Sequence, residues 1–456
     1  MNINEDYTQN FQKFLNVLML CILLSILAVN TFGQAKNISK EQMINDIDLL
    51  FSTIEKVHPD MYFVYSKESL RKDIEEVKSQ LEPSGDIFYF YKQVAPLIAK
   101  LGDAHTNIPP PYDEPSDLVN VLFFPLSVKV TYPAREIRVQ NDYTQTQNTI
   151  PAGAQITSIN KRPANDIVQE MLDYVSGEKD FFRISRLEVY FSHLIHSLYR
   201  DSIFDVQYVF NQEKHTIQVR GISCKDMYEN PSHQSKSPYS LSILPDKDIG
   251  IIEFNHFVDI GRFKVFLDST FRVLQREKIG NLIIDVRKNR GGTTGLGDEL
   301  FQYISPVPFV QFHKVIVMIS DILKQDRKYP SKVRNGISIV EYKKINKLKK
   351  NKLRYKGDVY LLTSHFTSSA ASSFSWAFKY FKMGVVVGEE TGGMSVGFAS
   401  YINRQLPNSG LHYRISTAKF YSYGATDDNI HGTLPDYNVE AEKALDFTLT
   451  ILLPPS

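Results

Sequence analysis

Val359-Tyr-Leu-Leu-Thr-Ser-His-Phe-Thr367-Ser368-Ser369-Ala370-Ala371-Ser372 runs from a short apolar strand into a cluster of small hydroxyl residues, and a helical pattern follows. A hydroxyl at a strand-to-helix junction sits beside backbone N–H groups that lack an intrahelical partner, at the positive end of the helix dipole. Such a seat favours a developing oxyanion and therefore suits a nucleophile. The same residue types also cap helices, because a Ser or Thr oxygen accepts from the N–H groups of the first turn. This segment alone leaves both readings open, with Ser368, Ser369 and Ser372 as the hydroxyls to weigh.

Two further segments bear on the choice. Asn281-Leu-Ile-Ile-Asp285-Val-Arg287-Lys-Asn289-Arg-Gly291-Gly292 reads as a buried strand entering a glycine turn. Leu101-Gly-Asp103-Ala-His105-Thr106 places an Asp and a His in a short polar link. With Gly388-Glu-Glu-Thr391-Gly392-Gly393 they form four ordered blocks. In this order the blocks resemble the L-x-D-x-H, D-x-R-x-N-x-G-G, S-A-x-[ES] and G-E-x-T-x-G motifs of peptidase family S41, the tail-specific or C-terminal-processing proteases. The resemblance covers roughly residues 40 to 445. It is nearer the branch that includes tricorn protease than the Ser/Lys processing enzymes.

The resemblance implies a serine-type endopeptidase. Ser369, the Ser directly before Ala370, matches the family nucleophile, and Gly291, Gly292 and Ala370 match the backbone donors of an oxyanion hole. The processing branch places a Lys base directly after T-x-G; here that position is Met394, whose thioether accepts no proton at neutral pH. His105 is then the base, since an imidazole with an unperturbed pKa of about 6.5 suits proton transfer near neutrality. His58 and the pair His193 and His196 are weaker candidates, and H-x-x-H without a further ligand motif is a poor zinc signal. Family members carry a carboxylate ahead of a G-x-x-P-D element, which matches Gly432-Thr-Leu-Pro435-Asp436. This chain offers Asp427, Asp428 and Asn429 there, and Asn429 stands nearest the family position, so it is the expected third member. Asp103 is a local alternative, although two residues from His105 is an awkward offset. Asp285 and Arg287 are read as a pair that holds the glycine turn. No cofactor and no metal is implied.

The chain has 456 residues, more than one core usually organises, so two or three domains are expected. Hydrophobic content of 43%, charged content of 23% and a formal net charge of +1 fit a soluble globular protein and give no sign of nucleic-acid binding. Lys324 to Lys356 departs from that balance, with 13 Lys/Arg against Asp326 and Glu341, and reads as an exposed insertion beside the active site. Near the start, Lys13 precedes an apolar run from Val17 to Val29 that ends in small residues at Thr31 and Gly33. The run is shorter than the about 20 residues a membrane span needs, so residues 1–33 read as a secretory signal peptide cut near Gly33. Cys21 lies inside the run, preceded by residues too large for a good lipoprotein box; Cys224 would then be the one cysteine of the mature chain, which excludes an intramolecular disulfide. The expected location is periplasmic or extracellular, with at most a loose membrane association.

Three parts are expected. Residues 38–115 read as a helical N-terminal domain, opened by a capping box at Ser39 and Gln42. Residues 118–221 turn to strands, and Ile150-Pro-Ala-Gly153-Ala-Gln-Ile156-Thr-Ser-Ile159-Asn160 resembles a PDZ-domain turn. Residues 236–450 alternate strands and helices, which implies an α/β core, by resemblance of crotonase/ClpP-like type. The expected reaction is peptide-bond hydrolysis in a peptide or protein substrate. The competing expectation is a non-catalytic peptide- or hydrophobic-ligand-binding protein on the same scaffold.

Overall fold

The computed structural model describes residues 37–112, 118, 121–144, 149–229, 237–330, 332–342 and 344–453; the expected signal peptide and Cys21 lie outside them. Three helices come first: α1 (Lys40–Val57), α2 (Lys67–Gln80) and α3 (Ile87–Ala99). The capping box is present, with the Gln42 N–H donating to Ser39 Oγ and the Ser39 N–H donating to Gln42 Oε1. Met43, Ile47, Leu50 and Ile54 recur every three or four residues and bury one stripe of α1. That stripe belongs to no separate helical core. It joins a single apolar cluster with the strands of the next module and with Ile402, Tyr413 and Ile415 from far along the chain.

The next module holds β1 (Leu126–Val130), β2 (Ile137–Asp142), β3 (Gln155–Ile159), α4 (Ala164–Leu172), α5 (Asp180–Tyr199), β4 (Ile203–Phe210) and β5 (Glu213–Arg220). The strands form an antiparallel sheet in the order β1-β2-β3-β4-β5. Helix α5 covers it by burying Ile184, Leu187, Phe191, Leu194 and Ile195.

The rest of the chain comprises β6 (Tyr239–Leu244), β7 (Ile249–Phe254), α6 (Ile260–Arg276), β8 (Asn281–Asp285), α7 (Gly295–Ile304), β9 (Phe312–Ile319), β10 (Gly336–Glu341), β11 (Asp358–Thr363), α8 (Ala370–Tyr380), β12 (Val385–Gly388), β13 (Val396–Gln405), β14 (His412–Ser422) and β15 (Tyr437–Asn438). The central sheet runs β6-β7-β8-β11-β12-β15, with β6 antiparallel and the others parallel. Continuous apolar runs such as Leu282-Ile283-Ile284 suit it because both faces are covered. Helices α6, α7 and α8 pack on one face; Ala444, Phe447 and Leu449 near the C-terminus pack on the other.

A second, antiparallel sheet in the order β10-β9-β14-β13 departs from the simple alternation expected of residues 236–450. Pro407-Asn-Ser-Gly410 supplies the hairpin turn between its two longest strands, and Gly410 adopts a φ of +78°. This sheet matters for function because it links the N-terminal link to the central sheet. The N–H and C=O of Asn107 pair with Arg414, and the Ser416 N–H donates to Thr106 Oγ1, so the 101–107 link is fastened to β14.

Candidate active site

Ser369 is the residue before α8, and its backbone lies at φ 54° and ψ −128°, outside the basins that non-glycine residues normally occupy. Such a conformation costs on the order of 1–3 kcal/mol and persists where its surroundings enforce it, which is typical of functional turns. Although Ser369 occupies the N-cap position, its side chain makes no capping bond. The hydroxyls of Thr367, Ser372 and Ser373 are engaged. Thr367 Oγ1 donates to Val286 O and accepts the Ser364 N–H, tying the turn to the end of β8. Ser372 Oγ donates to Ser369 O at 2.8 Å, and Ser373 Oγ donates to Ala370 O and Gln311 Oε1. Among the described hydroxyls of this cluster, Ser369 combines strain, an unengaged side chain and a place on the cavity wall. Ser368 is buried and does not line the cavity.

The glycine turn explains why the serine turn holds its shape. A Cβ on Gly291 would stand 2.7 Å from both Ala370 N and Ser369 Cβ and 2.9 Å from Ser368 O, so the two turns are in backbone contact. Gly291 also has φ +92°, a conformation that glycine adopts without steric penalty. On the other side, a Cβ on Gly393 would meet Ser372 Oγ at 2.2 Å and Ser369 N at 3.0 Å. Asn289 is fully buried and knits these parts together: its Nδ2 donates to Phe254 O, its Oδ1 accepts the Gly291 N–H, and its carbonyl accepts the Ser368 N–H. Asp285 and Arg287 form the expected pair, a two-pronged contact at 2.6 and 2.9 Å.

These bonds alter the expected oxyanion donors. The Gly291 N–H is already committed to Asn289 Oδ1 at 2.9 Å and is not free to receive an oxyanion. The N–H groups of Gly292 and Ala370 donate to no other group among the described residues, and both residues line the cavity. Gly291 therefore spaces the two turns, and the N–H groups of Gly292 and Ala370 are the ones left without a partner at the cavity.

His105 lines the same cavity, its ring stacked against Tyr401 with centroids 6.3 Å apart. Burial pushes its pKa below the usual imidazole value, while the charge of Asp103 opposes that shift. The ring is therefore neutral near pH 7, the form a general base requires. Asp103 supports it indirectly. Asp103 Oδ1 accepts the backbone N–H of His105 at 2.8 Å, and Oδ2 accepts from His58 Nε2 at 3.1 Å. The Asp60 N–H donates to His58 Nδ1, which fixes the His58 tautomer with its proton directed at Asp103. Burial alone would raise Asp103, but the His58 hydrogen bond, with the positive charge that His58 or His105 carries when protonated, outweighs it and holds the carboxyl well below its ordinary range. His58 is thus a buried brace for the His105 link rather than a base.

The cavity has a volume of about 730 Å³ and is walled by His105, the glycine turn, the serine turn and the edge of β13. Met394 lines it where the processing branch would carry Lys, and packs against Phe181, Phe182 and Ala104. Asn429, the expected third member, is exposed on a turn outside the cavity lining, and its backbone N–H donates to Thr426 O. Its neighbour Asp427 is held by Lys419 and Tyr421 instead. The structure accordingly does not bring this part of the chain to His105, whose Nδ1 is buried without a hydrogen-bond partner. His193 and His196 lie in an aromatic cluster with Tyr112 and Phe123, away from the cavity lining, and burial pushes both down to about 4.

Glu178, between α4 and α5, belongs to no sequence motif. It lines the cavity, its Oε1 lies 3.5 Å from the Ala104 N–H, and its buried Oε2 has no partner. Burial, reinforced by the charge of Asp103, pushes its pKa up to about 8. Local sequence carries no sign of this role, because only the packing of the module against the core brings Glu178 there.

With this geometry in view, residues 248–439 match the sequence model of peptidase family S41. This segment is similar to that family. It contains Ser369, the glycine turn and β13, whereas His105 and Glu178 reach the S41 segment from outside it. Among solved structures, the chain is similar to mature CPAF complexed with lactacystin, with a TM-score of 0.66 at 13% identity over 91% of this chain and 97% of that one. Mature CPAF gives 0.64 at 13% identity over 89% and 94%. A CPAF mutant gives 0.67 at 13% identity over 91% and 96%. The shared architecture therefore extends well beyond the matched S41 segment.

Proposed function

We propose that this chain is a serine endopeptidase in which Ser369 attacks the scissile carbonyl and His105 accepts its proton. The observation that carries the reading is the strained, uncapped Ser369 turn, which shares one cavity with a neutral His105 and with the free N–H groups of Gly292 and Ala370. In this scheme the Ser369 oxygen forms a bond to the carbonyl carbon, and the resulting oxyanion is received by the N–H groups of Gly292 in the glycine turn and of Ala370 at the start of α8. The imidazolium returns its proton to the departing amine, and water then hydrolyses the acyl-enzyme by the same route in reverse. The Asp103 anion stabilises the imidazolium through space, since its charge raises the His105 pKa. An extended peptide would pair along the outer edge of β13, because Gly397 to Tyr401 line the cavity and no strand neighbours that side among the described residues, although Arg327 already donates to Ser400 O and Tyr401 O.

A fluorophosphonate probe tests the scheme, since only an activated serine reacts. Labelling of the wild type at Ser369, absent from Ser369→Ala and retained by Ser368→Ala, is the expected result. The second reading, a ligand-binding protein without catalysis, is favoured by the unpartnered His105 Nδ1 and the distant Asn429; a folded wild type that fails to label would establish it. Two further readings accompany the proposal. The antiparallel sheet of residues 118–221 with its two helices is consistent with a PDZ-like module. Export is supported by the apolar run Val17 to Val29, and mass spectrometry of the mature N-terminus should find it near Gln34.

A further inference from the structure

Apart from Arg327, the basic insertion lies outside the cavity lining, and its charge is strongly one-sided. Residues 324–356 hold 13 Lys/Arg against two carboxylates, eleven net positive charges in a chain whose net charge is +1, so the remainder carries ten net negative charges. Lys328, Arg334, Lys344, Lys347 and Lys350 are exposed and have no acidic partner within 4 Å among the described residues. Between these cations stand exposed apolar side chains: Ile337 at 53%, Ile339 at 58%, Tyr342 at 49%, with Val340 and Ile345. They surround β10, the edge strand of the second sheet.

We propose that this edge docks onto an anionic lipid surface. Cations interleaved with exposed apolar and aromatic groups match both layers of such a surface, the headgroup charge and the shallow acyl boundary. Strand alternation sends Ile337 and Ile339 to one face of β10 and Val340 and Tyr342 to the other. A fluid interface can wrap both faces of an edge, whereas a partner of fixed shape covers one. The unpaired backbone groups on the outer side of β10 limit the depth, because hydrocarbon leaves them unsatisfied and the headgroup zone does not. The contact is therefore peripheral, consistent with the absence, among the described residues, of any helix long and apolar enough to cross a membrane. Strand β9 lies beside β10, and Phe312 at its start and Arg327 line the cavity, so docking would set the cavity mouth beside the bilayer.

The test is co-sedimentation of the full chain with phosphatidylcholine vesicles, with and without phosphatidylglycerol. The wild type is expected to pellet with the anionic vesicles and to be released at high salt, where the screening length shrinks to about 3 Å near 1 M. The triple variant K344Q/K347Q/K350Q should bind on the order of a hundredfold more weakly, at roughly fivefold per cation. I337S/I339S should weaken binding while keeping the preference for anionic lipid. The N-terminal apolar run is common to all variants, so the difference between them reads the patch. Equal binding to neutral vesicles, no binding by the wild type, or unchanged binding by the triple variant would each overturn the proposal. Binding of soluble poly-glutamate that the triple variant loses, without vesicle binding, would assign the surface to an acidic protein partner instead.

Discussion

Gly291→Ala is the most direct probe of the serine turn. The added methyl would stand 2.7 Å from Ala370 N, 2.7 Å from Ser369 Cβ and 2.9 Å from Ser368 O, mostly backbone atoms that cannot rotate away. The φ of +92° adds a penalty that Ala cannot escape without moving the turn. Backbone strain of about 1–3 kcal/mol and overpacking of about 1–3 kcal/mol together predict a loss of about 2–6 kcal/mol unless the glycine and serine turns separate. Separation by even 1 Å would misplace Ser369 from its N–H donors, an error that costs on the order of a hundredfold in rate. The assay is paired: melting temperature by calorimetry, and the second-order rate of fluorophosphonate labelling. Gly295→Ala is the control, because a Cβ added there would meet nothing within 4 Å and its backbone is helical. Wild-type labelling and wild-type melting in Gly291→Ala would refute the contact argument, and an equal loss in Gly295→Ala would show that glycine loss alone is responsible.

Other outcomes follow from the same geometry. His105→Ala should lower hydrolysis of a fluorogenic peptide by about a hundredfold or more, and adding Met394→Lys should not restore it, since an amine with the ordinary lysine pKa of about 10.4 is protonated near neutrality and accepts no proton. Because burial lowers the His105 pKa, the acid limb of the wild-type rate profile should fall below the ordinary imidazole value; a limb at or above about 6.5 would contradict the buried, neutral ring. Glu178 has a folded-state pKa raised to about 8, above its unfolded value, so its contribution to stability is complete at acid pH and is lost as pH rises toward 8. Glu178→Gln should therefore flatten the decline in melting temperature between pH 5 and 8, leaving the similar share from Glu188; an unchanged slope would remove Glu178 from the buried, proton-binding set.

The motif residues were legible in the chain because their chemistry is local. A strand ending in small hydroxyls must present them at a helix start, two adjacent glycines mark a close backbone approach, and Ser39 with Gln42 encodes its own cap. The antiparallel sheet was less visible, although Pro407 to Gly410 held a turn signal, because β13 and β14 interrupt an otherwise regular α/β pattern. What tertiary structure alone decided is the assignment of partners across long sequence separations. Gly291 was a plausible donor until folding delivered Asn289 Oδ1 to its N–H, and Asn429 a plausible orienter until its turn was carried to the surface. Glu178 gave no local sign, since a carboxyl's burial and charge environment arise from segments that meet only in the fold. Sequence determined which groups could do the chemistry; the packing of distant segments determined which of them face one cavity, because hydrogen-bond partners and desolvation are properties of space rather than of order along the chain.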